Sequence, residues 1–538
     1  MIINAQFVDI INKEIYPAEV TIRDGEIAKI EKVESAPPQY IMPGFVDAHI
    51  HIESSMLTPY EFARKALCHG TVATVSDPHE IANVMGMEGV QYMIDNAKEA
   101  LLKFHFGAPS CVPATPFENA GATISVEDIQ TLMDSDDIYY LSEMMNYPGV
   151  LKKDKDVMQK LAIAKASGKV IDGHAPGLMG DLAKQYIDAG ISTDHECFTE
   201  AEALNKLNHG MKVLIREGSA AKNFNALHPL IKDHWKQLMF CSDDKHPDNL
   251  MEGHINQLVE RSLKLGYELY HVLYMACIHP VLHYNLRNGI LRVGDPADFI
   301  LSKDLISFND LETYINGEQV ADKEGSILKS KSHKVINQFN IEKVKAINFE
   351  KKGNGINQAI IEAIDGELIT QKMIANLPSE DGIIQTDPTK DILKIAVINR
   401  YKNAAIATAF IKNFNIKEGA IASTVAHDSH NIIAVGTSDK NLANAVNLLI
   451  ENKGGLSAVS NEGEKVLALP IAGLMSDKSC EDIGQAYSEI DLFVKAMGCN
   501  IHAPYMTLSF MALLVIPKIK ISDLGLFDAE AFKFIEKV

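Results

Sequence analysis

Seven cysteines stand at positions 68, 111, 197, 241, 277, 480 and 499, and no two of them form a C-x-x-C pair. That absence excludes a thiolate zinc ribbon. An odd number scattered through 538 residues is expected to be reduced thiols rather than a disulfide framework. Basic runs are absent too, and the formal net charge is −20, a poor partner for a phosphate backbone, so nucleic acid is not expected. No apolar run is long enough to span a bilayer, and the start, Met1-Ile2-Ile3-Asn4-Ala5, has no basic region of a signal peptide. The expectation is a cytoplasmic protein without a membrane partner. There is no internal repeat, no low-complexity tract, and no Gly-rich dinucleotide fingerprint after any strand-like run.

What is present is an ordinary globular composition, 46% apolar and 23% charged, in a chain too long for one core. Residues 1–43 read as short strands (Ile2–Val8, Glu19–Ile22, Ile27–Val33) with Arg23-Asp24-Gly25-Glu26 as a turn. From residue 44 to 288, strands and helices alternate. Apolar runs at Gly70–Val75, Tyr139–Ser142, Lys169–Asp172, Met211–Ile215 and Gln237–Cys241 are separated by helical patterns such as Asp156–Ala166 and Asp181–Ala189. About 245 residues of repeating βα units predict an α/β fold built on a (β/α)8 barrel. Strand signals return in 289–333, where Asn316-Gly317 marks a hairpin. That segment is too small to fold alone and is expected to join residues 1–43 in one composite β-domain. Residues 334–538 mix strands and helices as a third, α+β unit.

Five stretches carry candidate chemistry. His49 and His51 are two apart, so on a strand both imidazoles face one way, at the carboxyl end where barrel enzymes carry their sites. Glu143 follows the run Tyr139–Ser142, and a carboxylate there can bridge two cations. His174 ends the run Lys169–Asp172 beside Gly173, and His195 lies 21 residues further on; each step is about one βα unit. Asp243 follows Met239-Phe240-Cys241-Ser242 and can both ligate a metal and accept a proton from bound water. The metal-ligand set is therefore His49, His51, Glu143, His174, His195 and Asp243, and the reaction class is metal-assisted hydrolysis.

Other residues are weighed beside their plainer roles. His79 and Glu80, after Val75-Ser76-Asp77-Pro78, are candidates for contact with substrate or for supporting the ligands; Glu53 and Asp244 are candidates for the same support. Arg216 ends the run Met211–Ile215, where it reaches the pocket or makes a structural ion pair. His427, Asp428 and His430 read as loop residues covering the barrel mouth, or as a further metal set.

Together these motifs resemble the amidohydrolase superfamily. The run Pro43-Gly44-Phe45-Val46-Asp47-Ala48-His49-Ile50-His51-Ile52-Glu53-Ser54-Ser55-Met56-Leu57-Thr58-Pro59 is similar to the signature of the bacterial adenine deaminase family. So are Ser76-Asp77-Pro78-His79-Glu80-Ile81-Ala82-Asn83-Val84, Cys241-Ser242-Asp243-Asp244-Lys245-His246-Pro247 and Ala426-His427-Asp428-Ser429-His430-Asn431. The resemblance implies hydrolysis of adenine to hypoxanthine and ammonia by a binuclear divalent centre, with Mn2+ first and Fe2+ or Zn2+ as alternatives. It also implies His49 and His51 on one metal, His174 and His195 on the other, Glu143 bridging, Asp243 shuttling the proton, and a homodimer or higher homo-oligomer. One departure is the short glycine run at Asn452-Lys453-Gly454-Gly455, where the family pattern is longer. The cytidine-type deaminases share H-x-E, matched by His51-Ile52-Glu53, but need a later C-x-x-C that this chain lacks. Two further readings are an amidohydrolase acting on a cyclic amide or another aminated base, and a silent binding protein; a complete ligand set argues against the second.

Overall fold

The computed structural model describes residues 1–537. Eight parallel strands form the central ring: β1 (Phe45–Ile50), β2 (Thr71–Ser76), β3 (Lys103–Ala108), β4 (Ile138–Met144), β5 (Val170–Gly173), β6 (Thr193–Asp194), β7 (Lys212–Arg216) and β8 (Leu238–Cys241). β1 to β5 pair in order, as do β6 to β8. Two backbone junctions close the ring. Ser192 N–H donates to Ile171 O at 2.9 Å while its own carbonyl accepts from Lys212 N–H at 2.8 Å, joining β5 to the β6–β7 edge. At the other seam Asp243 N–H donates to His49 O at 2.9 Å, and His51 N–H donates to Asp243 O at 3.3 Å. The expected barrel is thus formed, with its strands buried and the helical segments outside.

The strand β3 was not among the apolar runs read from sequence. Its segment, Lys103-Phe104-His105-Phe106-Gly107-Ala108, carries a histidine and a glycine. In the fold His105 is buried and satisfied on both nitrogens, Nδ1 facing Thr74 O at 3.2 Å and Nε2 accepting from Arg287 N–H at 3.1 Å. Gly107 has no room for a side chain, since a Cβ there would lie 2.3 Å from Ser142 Oγ. Tertiary packing therefore overrides a weak local signal.

Flanking the barrel, one eight-stranded sheet combines both ends of the first half of the chain. Its order runs through Gly325–Ser326, Glu318–Asp322, Leu311–Ile315, Phe299–Ser302, Tyr40–Pro43, Ile2–Asp9, Glu14–Arg23 and Glu26–Lys32. The strand Tyr40–Pro43 pairs with Phe299–Ser302 and leads directly into β1, so the sheet fixes where the barrel starts.

A second eight-stranded sheet lies in the C-terminal half, with Ile392–Ile398 and Ile432–Gly436 near its centre. Strand alternation divides its faces. Ala396, Ile398, Ile432 and Ala434 pack with Leu442, Val446 and Leu449 of the helix Asp439–Asn452. Ile395, Val397, Ile433 and Val435 face the other way and join the same continuous core as the barrel. The C-terminal half is thereby seated on the barrel rather than tethered to it, and polar contacts reinforce the seam: Asn119 Nδ2 donates to Asp523 at 2.6 Å and Asn431 Nδ2 donates to Asn119 O at 2.8 Å.

Glu118 sits buried at this seam, with one oxygen accepting from Thr115 Oγ1 at 3.0 Å and the other unpartnered. Burial, reinforced by nearby Asp428 and only partly offset by Thr115, pushes its carboxyl up from 4.5 to about 8. The folded chain therefore holds that proton more tightly than the unfolded one. The associated stability is complete below pH 4.5 and is lost as pH rises toward 8. Glu118→Gln is expected to flatten the fall in melting temperature between pH 5 and 8, on the order of 1 kcal/mol or more; scanning calorimetry across that range with an unchanged slope would refute it.

Candidate active site

The carboxyl ends of β1, β4, β5, β6 and β8 meet at the barrel mouth, and six of the residues expected there converge. His49 and His51 leave the end of β1 with their Nε2 atoms 3.2 Å apart. Asp243 Oδ1 lies 3.5 Å from the first of these nitrogens and 3.2 Å from the second. Glu143 at the end of β4 places Oε1 3.3 Å from His51 Nε2 and Oε2 2.7 Å from His174 Nδ1 and 3.4 Å from His195 Nε2. All six side chains are buried. Glu143 thus stands between the two histidine pairs with one oxygen toward each.

The backs of the rings decide what their fronts can do. His51 Nδ1 faces the Asp77 carbonyl at 3.2 Å, and a carbonyl only accepts, so the proton sits on Nδ1. His49 Nδ1 has no hydrogen-bond partner; the nearest acidic atom behind it, Asp172 Oδ2, lies 3.9 Å away in a carboxylate itself held by Tyr284 Oη and Thr193 Oγ1. Both Nε2 atoms lie beside the Asp243 carboxylate. Unprotonated imidazole nitrogens and carboxylate oxygens turned on a common point are a donor set for a divalent cation. Two such groupings, His49 with His195 and Asp243, and Glu143 with His174 and His195, can each hold an ion.

Asp243 is held from behind by Arg216, whose Nη1 lies 2.6 Å from Oδ2 and also pairs with Glu196. Burial would push the Asp243 carboxyl up, but Arg216, His49 and His51 hold it well below the usual carboxylate range. Arg216 Nε also donates to Ala221 O at 2.9 Å, so the guanidinium is fixed on three sides. It does not line the cavity; of the two roles weighed for it, the geometry supports the ion pair. Glu53 does not line the cavity either. It sits in the turn Ile52–Ser55, where Oε1 accepts from Ile81 N–H at 3.1 Å, and burial pushes its carboxyl up to about 7.

His79, Glu80 and Asp244 do line it. His79 Nδ1 lies 3.0 Å from Asp77 Oδ2, and Asp244 Oδ1 accepts from Ser54 Oγ at 2.5 Å. Four features were not legible in the sequence. Glu196, the buried partner of Arg216, follows His195 directly, so the Asp194-His195-Glu196 triplet was the available signal. Asp47 is buried and lies 2.8 Å from His254 Nε2, supporting the seam beneath Ser242. Lys206 is buried between Asp194 at 2.5 Å and Glu202 at 2.8 Å, holding β6 beneath His195. The fourth is the apolar part of a wall from the C-terminal half: Leu368, Phe510 and Leu513 close the cavity opposite the barrel beside His427 and Asp428, which were expected over the barrel mouth.

Comparison with known proteins agrees with this layout. The amidohydrolase family model matches residues 40–344, and the model of the adenine deaminase C-terminal domain matches residues 367–533. An adenine deaminase of Sulfurovum sp. (strain NBC37-1) is 53% identical, covering 100% of this chain and 99% of that protein. The chain belongs to the adenine deaminase family. Other members of the family similar to it include the adenine deaminase of Salinibacter ruber, 50% identical over 99% of this chain and 98% of that one. That of Methanosarcina mazei is 47% identical over 98% of each. The family match extends through the segment that supplies Phe510 and Leu513, so the C-terminal half belongs to the family's architecture as much as the barrel does.

Arg216 is buried between two carboxylates, so removing it strands both charges. Arg216→Met is expected to lower stability by about 3–5 kcal/mol, read as a reduced melting temperature. A variant melting with the parent would show that the ion pair carries little.

Proposed function

We propose that the chain catalyses hydrolytic deamination of adenine to hypoxanthine and ammonia in purine salvage, at a binuclear metal centre held by His49, His51, Glu143, His174, His195 and Asp243. The observation that carries this reading is the convergence of those six buried groups at the mouth of a barrel whose chain matches adenine deaminases over its whole length. Divalent metals bound there would lower the pKa of a coordinated water to near neutrality and so supply a nucleophile. With no thiolate in the donor set, Mn2+, Fe2+ and Zn2+ are all compatible; Mn2+ is our first assignment. We further infer three units, 1–43 with 289–333, 44–288 and 334–538, a homodimer or higher homo-oligomer, and a cytoplasmic location. Among the described residues no helix is long and apolar enough to cross a membrane.

The chain's own groups divide the work. Asp243, ionised and held by Arg216, accepts the proton of the attacking water and passes it to the departing amino group, so that water and adenine become hypoxanthine and ammonia with no other reactant. Glu143 and the four histidines, with Asp243, would hold the cations. Asp244, Glu80 and His79 face the substrate space from the barrel side, while the C-terminal wall excludes bulk water, which strengthens each electrostatic contact inside.

Metal-loaded protein is expected to release ammonia from adenine and not from a hydantoin offered beside it. His49→Ala should lose bound metal and activity together. Asp243→Asn should lower kcat by about a thousandfold or more. Metal-replete protein that leaves adenine unchanged would overturn the assignment.

A further inference from the structure

The barrel alone leaves the substrate space open on one side, and His427 stands on the wall that closes it. Its orientation is built. Glu80, at the start of the helix His79–Met85 after β2, offers one carboxylate oxygen to each of two imidazoles from the C-terminal half. Oε1 faces His427 Nδ1 at 2.5 Å, and Oε2 faces His430 Nε2. His430 Nδ1 accepts from Ala426 N–H at 3.2 Å, so its Nε2 must carry the proton given to Glu80. A carboxylate accepts only, so Nδ1 of His427 likewise carries a proton; burial would lower the ring's pKa, but Glu80 and Asp244 raise it to about 9, so Nε2 carries a proton as well and is a donor. The His427 ring is then pinned flat against Phe510, with centroids 4.9 Å apart and planes 21° apart.

This leaves His427 Nε2. It is buried, has no hydrogen-bond partner, and belongs to a residue lining the same cavity as His51, Glu143 and Asp243. The nearest acidic atom, Asp244 Oδ1, lies 4.0 Å away, beyond hydrogen-bond reach. A buried imidazole nitrogen without a partner carries a desolvation penalty that a ligand atom would relieve. The ring's other edge is engaged by a glutamate that is itself anchored twice, so the free nitrogen has one direction in which to point.

We propose that His427 is a substrate-contacting residue whose Nε2 hydrogen-bonds a ring nitrogen of the purine, and that Glu80 and His430 position it. This rests on the deaminase reading above and adds to it a specificity group supplied by the C-terminal half. A flat base has a polar edge and two apolar faces. Leu368, Phe510 and Leu513 furnish apolar surface on the same wall, where His427 and its neighbour Asp428 are the polar groups; of the two, His427 has its ring fixed by Glu80 and Phe510 and its free nitrogen left to read the edge.

The test compares the parent with His427→Ala and His427→Gln, using adenine as substrate and 1-, 3-, 7- and 9-deazaadenine as competitive inhibitors. Metal content and melting temperature are measured on each protein. With metal content unchanged, His427→Ala is expected to lower kcat/KM for adenine about tenfold or more. It should weaken inhibition by three of the deaza analogues to a similar degree and leave the fourth, which lacks the contacted nitrogen, unaffected. Glu80→Gln should give a loss that does not add to that of His427→Ala. If kcat/KM stays within about twofold in both His427 variants, or if all four analogues weaken equally, the inference fails while the deaminase reading stands. A parent protein inactive on adenine with metal bound would remove the reading itself.

Discussion

Asp243 does two things at once, and the architecture of the site follows from both. Its backbone closes the barrel, linking the end of β8 to His49 and His51 at the end of β1. Its φ of 55° turns the chain there, so that the side chain of the residue that completes the ring points into the mouth. The two histidines and the carboxylate are therefore not independently placed. The same pair of hydrogen bonds that seals the first and last strands sets the distance between His49, His51 and Asp243. Ser242, one residue earlier, donates from its backbone to Asp47 at 3.0 Å, which anchors the seam from beneath.

Concentrating this many ionisable groups out of water is costly, and the structure offsets the penalty by pairing them in layers. Asp243 and Glu196 share Arg216, Asp194 and Glu202 share Lys206, and Glu80 accepts from His427 and His430. In each case a charge that faces the cavity, or holds one that does, is compensated from behind. Such networks contribute little net stability compared with an apolar core of the same shape. What they provide is direction, since a carboxylate fixed on one side presents a defined oxygen on the other. The C-terminal half extends this logic across a fold boundary. Its sheet is seated by Ile395, Val397, Ile433 and Val435 on the barrel's own core, which places Phe510, and the His427 ring stacked on it, at the mouth.

Much of the fold was legible because its signals are local. The runs around β2, β4, β5, β7 and β8 are apolar and bounded by turns, and the observed strands fall within a residue or two of them. The weak segments failed for physical reasons. β3 carries His105 and Gly107, whose roles depend on Arg287 and Ser142, and β6 is only the pair Thr193–Asp194, too short to show alternation. At the site, His49 with His51 was readable because two residues on a strand share a face, and Glu143, His174 and His195 because each stands at the end of a strand, about one βα unit from the next. Glu196 was not, since an acid beside a histidine looks like any solvent-facing loop charge until Arg216 is placed against it. Glu53 and Arg216 show the reverse case: their positions near the candidate ligands are plain in the sequence, but only packing turns them away from the cavity.

By itself the sequence determined the kind of chemistry, because ligand types and strand periodicity are properties of neighbouring residues, and it determined the family, because long contiguous runs carry that information. The tertiary structure alone decided which groups share charges and which face the substrate space. Glu80 and His427 are 347 residues apart, and no local rule brings them together. They meet because one face of the C-terminal sheet completes the hydrophobic core begun by the barrel, and burial of that apolar surface carries the polar residues at its edge into the mouth.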